Sequence, residues 1–233
     1  MGCNNMAETS QTQIVQKNIE MSKKDLKKAF LKDELIIFFT RVQEDLLENK
    51  KDSYGRLKEL FSVLHPYDEI TREFIFEKIE NSDFESKDGL ELDEEEKKML
   101  RDFCKNINNN IKFKTLENVK FLAKKNLSEL NKKYLPNASL YIEPFLLGKL
   151  ISFFGGIENL YKRPASTIQL LGAEKAFFRF KEREAKGGKP PKYGFIYSSG
   201  NVQKAKNKGK KARQLANKLS LAIKIDYFRK FCR

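Results

Sequence analysis

KGKKARQLANKLSLAIKIDYF, residues Lys208 to Phe228, closes a set of three ordered motifs in the last third of this chain. It follows PASTIQLLGAEKAFFR (Pro164 to Arg179) and PKYGFIYSS (Pro191 to Ser199). The last motif reads as an amphipathic helix over Lys204 to Phe231. Leu215, Leu219, Ala222, Ile223 and Tyr227 form its apolar face. Lys204, Lys206, Lys208, Lys210, Lys211, Arg213 and Lys218 load its N-terminal half with cations. Clustered cations beside conformationally special loops favour phosphate contact over a merely solvated face.

The charge is confined to this region. Residues 161 to 233 hold 20 Lys and Arg against 4 Asp and Glu, and the whole chain carries +14. The other residues are therefore close to neutral. A single-sign field of that size repels itself unless it meets a polyanion, and nucleic acid is the commonest one. An anionic membrane surface is the main rival.

Composition fits a soluble globular chain, with 233 residues of which 40% are apolar and 33% charged. Its three cysteines, Cys3, Cys104 and Cys232, are too far apart to suggest a metal-ligand pair or a disulfide framework. An intracellular, reducing compartment is expected. The opening Met-Gly-Cys-Asn-Asn-Met starts like a myristoylation signal, but Met6 stands where Ser or Thr is required. The longest apolar stretch, Leu35 to Phe39, is too short for a membrane span or a secretory core segment.

Glycine and proline are absent from residues 3 to 54 and 90 to 135, which predicts two long helices. The first is expected from Met21 to Leu64, with Leu35, Phe38, Val42, Leu46, Leu57, Leu60, Phe61 and Leu64 at mostly helical spacing. His65-Pro66 should end it. The second opens at Asp93, a capping residue followed by the acidic turn Glu94 to Glu96. Its stripe runs through Leu100, Phe103, Ile107, Ile111, Leu116, Val119, Leu127, Leu130 and Tyr134. Helices of this length reach roughly 60 Å each and need a partner along their length. An antiparallel helical hairpin supplies one, with a shorter helix near Thr71 to Ile79 in the connection.

After Pro136 the texture changes to short helices: Tyr141 to Phe154, Ile157 to Tyr161, Ser166 to Glu184 and Lys204 to Phe231. The fold class expected is all-α. Residues 1–24 would form an N-terminal tail, 25–135 a helical hairpin or coiled coil, and 136–233 a compact helical domain. Ser166 or Thr167 could cap the third short helix, leaving N–H groups suited to a phosphate or an acidic partner. Lys175 and Arg179 lie one turn apart on its face. The loop Lys186 to Lys192 is basic, flexible and then stiff, and can track a backbone. Tyr193, Phe195 and Tyr197 alternate as an extended buried segment would; burial is expected for Phe195 and Ile196, while the tyrosines remain open to base stacking.

Catalysis finds little support in these residues. His65, the only histidine, stands before a proline at a helix end. Cys104 falls within the apolar periodicity of a long helix and has no histidine to activate it. Glu174 and Lys175 point about 100° apart as helical neighbours. No catalytic residue, metal site or cofactor is expected.

PASTIQLLGAEK, PKYG-I-Y and KG-K-AR-LA-KLSLA--ID-F resemble, in order and spacing, the Nop domain. That domain is shared by scaffold proteins of box C/D ribonucleoproteins and by a related spliceosomal protein. DELIIFF, RLKELFSVLHP and YIEPFLLGKLI look more loosely like the family's coiled-coil hairpin and the link into its Nop domain, so the resemblance spans about Lys32 to Phe228.

The resemblance implies a non-catalytic scaffold that reads a kink-turn box C/D guide RNA together with a small ribosomal-protein-like kink-turn-binding protein. It would thereby support RNA-guided ribose 2′-O-methylation in rRNA processing. By motif position, Thr167, Lys175, Arg179, Lys192, Ser198, Lys208, Lys210 and Arg213 would contact RNA. Gln169, Ala173 and Glu174 would contact the protein partner, with Thr167 to Lys175 on one helix. Ser198 stands where eukaryotic relatives often carry a base-stacking histidine, which weakens the case for stacking there.

Family scaffolds also carry an N-terminal α/β domain that recruits a fibrillarin-type methyltransferase. Residues 1 to 30 are too few for it, so recruitment is expected through a separate domain or chain. Self-association through the coiled coil is implied, with no membrane partner. The short Gly-Gly-Lys-Pro-Pro-Lys connection and the modest length look more like archaeal members, for which the implied location is cytoplasmic; for a eukaryotic member it is nucleolar. A spliceosomal-type Nop protein bound to a small nuclear RNA-protein complex is the alternative, and a nonspecific cationic RNA or membrane-surface binder the other.

Overall fold

Repeating backbone hydrogen bonds among the described residues build helices. The computed structural model describes residues 16–22, 33–48, 53–81, 83–84, 89–110, 116–183 and 189–230, and regular structure among them is helical throughout. In chain order the helices after residue 22 are α1 (Glu34–Leu47), α2 (Ser53–Leu64), α3 (Arg72–Asn81), α4 (Glu94–Asn110), α5 (Leu116–Tyr134) and α6 (Pro136–Ser139). They continue as α7 (Pro144–Phe154), α8 (Ile157–Tyr161), α9 (Ala165–Leu170), α10 (Glu174–Arg183), a 3₁₀ turn (Phe195–Ser198), α11 (Gly200–Gln203) and α12 (Lys208–Lys230).

Two compact units result. One holds the described residues of Met1–Glu34 and Asp52–Asn108; the other holds those of Leu35–Lys51 and Asn109–Arg233. The described residues of 35–51 and 109–135 in the expected hairpin thus share a unit with the C-terminal helices. The helix expected from Met21 to Leu64 is described as two, α1 and α2, and that expected from Asp93 to Tyr134 as α4 and α5. Residues 23–32, 49–52 and 111–115, with Ile111 among them, lie outside the described residues.

In the first unit, local sequence sets the helix ends. Asp93 and Glu96 form a reciprocal capping box: Glu96 N–H donates to Asp93 Oδ1 at 3.0 Å, and Asp93 N–H donates to Glu96 Oε2 at 3.0 Å. At α3 the Thr71 hydroxyl accepts from Phe74 N–H at 3.2 Å. The α2 helix ends at Leu64, directly before His65-Pro66. Leu57, Leu60, Phe61 and Leu64 bury one face of α2, and Leu100 and Phe103 do so on α4. His65 is buried at 2% exposure, stacked 6.0 Å from Phe61 and edge-on 5.4 Å from Phe74. Burial, followed by the nearby Lys78 charge, holds its pKa below the ordinary 6.5. Cys104 is equally enclosed, and burial pushes its thiol up to about 12. A thiol that stays protonated is core packing and no nucleophile.

In the second unit, α1 is enclosed on nearly all sides, Leu35 to Thr40 being buried without interruption. It meets α7 at Gly148, where an added Cβ would collide with the Thr40 hydroxyl. Thr40 turns that hydroxyl back onto Ile36 O at 2.7 Å, and Lys149 pairs with Glu44 at 3.1 Å across the same helices. The α12 helix packs on α6, α8 and α9.

Its anchor is Asp226, fully buried, whose carboxylate accepts from Asn137 N–H at 3.2 Å, Asn137 Nδ2 at 2.7 Å and Ala138 N–H at 2.9 Å. A short helix has mostly unpaired N–H groups, and a carboxylate at its positive end satisfies them. Among the described residues no helix is long and apolar enough to cross a membrane.

Removing that carboxylate leaves three donors without their partner, the Ala138 N–H in the core and the two of Asn137 partly buried. Asp226→Ala is expected to cost about 3 kcal/mol, a drop in melting temperature of roughly 6–12 °C; an unchanged thermal melt would refute the anchoring role. The His65 shift fixes the sign of a pH effect. The folded unit resists a proton that the unfolded chain accepts near pH 6.5, so this stability is present above that pH and declines as pH falls. Melts at pH 7.5 and 5.5 should differ less for His65→Gln than for the wild type.

Candidate nucleic-acid interface

The three C-terminal motifs are one packed object. Gly172 takes φ +85° and ends α9 inside the stretch expected to be a single helix from Ser166 to Glu184. Only glycine adopts this conformation readily, and a Cβ here would also strike the Phe195 ring. Gly172 N–H donates to Glu174 Oε1 at 2.7 Å, which closes the turn into α10. Thr167 to Lys175 therefore lie on two helices joined by a sharp turn, not on one. The α9 helix starts after Pro164 with no side-chain cap, so neither Ser166 nor Thr167 caps it.

PKYG docks on this turn through its backbone. Gly194 N–H donates to Gln169 O at 2.9 Å and Phe195 N–H to Leu171 O at 2.6 Å, while the Gln169 side-chain amide donates to Lys192 O at 2.6 Å. Gly194 lies so close to Leu171 that a Cβ would overlap its carbonyl oxygen. Tyr193 to Tyr197 is thus no extended segment: residues 195–198 form a 3₁₀ turn, with Ile196 fully buried and Phe195 half-buried beneath Lys149, 4.7 Å from its ring. The Glu143 carboxylate receives Gly200 N–H at 3.0 Å and holds the end of this turn in place.

The third motif completes the surface. The helix expected from Lys204 to Phe231 begins only at Lys208, and Asn207 caps it by accepting Lys210 N–H at 3.1 Å. Gly209 makes room for the stem of Lys192, which packs against it. Lys208 donates to the Tyr197 hydroxyl at 3.1 Å, and this bond, chiefly, raises its pKa. Tyr193 and Tyr197 stack on each other at 4.7 Å and 14°. Their facing surfaces are consumed by each other.

Lys192 and Lys208 are therefore brought together, while Lys210 and Arg213 follow on the exposed side of α12. The first turn of α12 contains no acidic residue although the helix dipole is positive there. Lys208, Lys210, Lys211 and Arg213 add their charge to it, a repulsive arrangement that a bound anion relieves. Lys175 and Arg179 are exposed on α10, where Arg179 Nε donates to Lys175 O at 3.1 Å. Ala173 is half-buried at the turn and Ser198 is exposed. Lys186 lies outside the described residues.

A second feature adjoins the turn. Ser166, Thr167, Leu170, Leu171, Glu174, Phe177 and Phe178 line an open, mostly apolar cleft of about 320 Å³. Phe177 and Phe178 are 41% and 63% exposed. Sequence reasoning missed both, and spacing gave no signal for them: neighbouring helical positions can share one buried stripe, as Ala222 and Ile223 do on α12. Among the described residues, no group of three or more His, Cys, Asp or Glu could hold a metal ion.

Residues 44–232 match the family model Nop, described as "snoRNA binding domain, fibrillarin". Nucleolar protein 56 of Saccharomyces cerevisiae is 50% identical over 95 residues, 40% of this chain and 18% of that protein. The human protein of the same name is 46% identical over 95 residues, 40% of this chain and 16% of its own length. The chain thus spans less than a fifth of these curated relatives. A solved fibrillarin/Nop5p complex overlays 98% of this chain and 73% of its own at 21% identity and a TM-score of 0.46, too loosely to transfer positions.

The docking of PKYG on the GAEK turn depends on Gly172. Gly172→Ala should destabilise the second unit by at least about 2 kcal/mol, from the left-handed conformation and the Phe195 clash together, whereas Gly155→Ala, with open space around its Cβ, should cost less. Thermal denaturation of both variants would check the order.

Proposed function

The chain belongs to the Nop family, and from that membership we propose that it is a non-catalytic scaffold of a box C/D guide ribonucleoprotein. It binds a kink-turn RNA together with a small kink-turn-binding protein and supports RNA-guided ribose 2′-O-methylation. The observation that carries this reading is the convergence of Lys192, Lys208, Lys210 and Arg213 at the positive end of α12, on a surface fixed by three interlocked motifs. Cations held on rigid elements select a backbone path, whereas a flexible cationic tail does not.

In this reading Lys175, Arg179, Lys192, Ser198, Lys208, Lys210 and Arg213 contact RNA. Thr167 sits where RNA and protein meet. Ala173 and Glu174 face the small protein beside the apolar cleft, and Gln169 acts by holding Lys192 in place. Residues 25–135 supply a hairpin for self-association, and residues 136–233 the RNA-protein-binding domain. A fibrillarin-type methyltransferase joins the same assembly. The names of the curated relatives support a nucleolar location.

The test is an electrophoretic shift with a box C/D kink-turn RNA alone, with that RNA bound by its small protein, and with a mutant RNA that cannot kink. A supershift confined to the preformed complex is expected; equal binding to any duplex would leave only a nonspecific cationic binder. Lys175→Ala and Arg213→Ala should each weaken assembly by roughly 5–10-fold and lower the salt dependence by about one counterion.

A further inference from the structure

The α12 helix buries Ala212, Leu215, Ala216, Leu219, Ala222 and Ile223, yet it turns a second apolar row to solvent. Leu221, Ile225 and Phe228 are 62%, 48% and 57% exposed. Their i, i+4, i+7 spacing places them on one side of the helix over about two turns. Tyr161 of α8 stacks on Tyr227 at 3.8 Å and meets Phe228 edge-on at 5.6 Å, so the apolar surface continues onto a neighbouring helix. Large apolar residues in register on an outer face mark an interaction surface more often than scattered ones do.

Charge decides what fits. By helical position, Lys218 and Arg229 flank one side of the row and Lys224 the other, all three exposed. The acid of this stretch, Asp226, points away into the core at Asn137 and Ala138. At the α8 end Lys162 is matched by Glu158 at 2.8 Å. The rim is cationic. A second copy docked face to face would set like charges against each other. Nucleic acid offers phosphates for the rim but nothing aliphatic for Leu221 and Ile225.

We propose that this face docks an acidic amphipathic helix of a partner protein. Its apolar residues at i, i+4 and i+7 lie against Leu221, Ile225 and Phe228, and its carboxylates meet Lys218, Lys224 and Arg229. Arg213 lies about 12 Å along the helix from Leu221, so the cationic end of α12 stays free for RNA while the helix is bound. The inference is independent of the RNA reading.

The experiment uses the full chain and a labelled synthetic helical peptide of about 20 residues, with leucines at i, i+4 and i+7 among glutamates, followed by fluorescence anisotropy. One control peptide carries lysine for glutamate and another serine for leucine. Saturable binding is expected, weakened at least about 10-fold by either control and by the Leu221→Gln/Ile225→Gln variant. Unchanged circular dichroism and thermal melting would show that the variant folds. Lys224→Glu/Arg229→Glu should reverse the preference toward the lysine peptide. The proposal is overturned by absence of binding, by undiminished binding to the glutamine variant, or by equal binding of the serine peptide. It is also overturned in favour of a second copy if sedimentation shows a dimer that the glutamine variant abolishes, and in favour of RNA if that variant loses kink-turn affinity instead.

Discussion

A buried carboxylate organises the C-terminal domain. Asp226 lies near the end of α12, and the donors it satisfies belong to Asn137 and Ala138, at the start of α6. Desolvating a charge costs several kcal/mol unless hydrogen bonds replace its water, and here three do. The bond set therefore acts as a register pin: the last helix can slide or rotate only by leaving the carboxylate uncompensated. Everything that α12 presents, its cationic beginning and its apolar later turns, inherits its placement from that pin.

The same helix is charged against its own dipole. An isolated helix with Lys208, Lys210, Lys211 and Arg213 at its N-terminal end would be destabilised there. The fold tolerates this because tertiary contacts hold α12: Ala212, Leu215 and Ala216 are buried, Asn207 caps it, and Lys208 is tied to Tyr197. The repulsion is thus retained at the surface as a standing attraction for an anion. Glycines fix the geometry around it, since the backbone at Gly172 and Gly194 approaches its neighbours too closely for a side chain.

Where a signal is local, the sequence was sufficient. Asp93 with its acidic turn became a capping box, Ile157–Tyr161 appeared as a helix with the expected bounds, and Leu57, Leu60, Phe61 and Leu64 are buried as their spacing requires. The failures are non-local. A glycine within an apolar-periodic stretch is compatible with a continuous helix or with a break, and at Gly172 the outcome depends on Phe195, more than 20 residues onward. Tyr193 and Tyr197 read as free aromatics because their pairing needs a 3₁₀ turn that is stabilised by contacts to Leu171 and Glu143. The cations of the motifs were legible as cations, but not the hydrogen bonds that aim them.

The close passage of α1 across Gly148 bears on how the chain is made. Leu35 to Thr40 leave the ribosome long before α7, whose surface they need, and the described residues between 52 and 108 belong to the other compact unit. At about 5–20 residues per second, the contiguous apolar stretch Leu-Ile-Ile-Phe-Phe waits on the order of 5–20 s for its partner. Chaperone demand during synthesis should therefore concentrate on this early segment, even though it ends among the most completely enclosed parts of the finished protein.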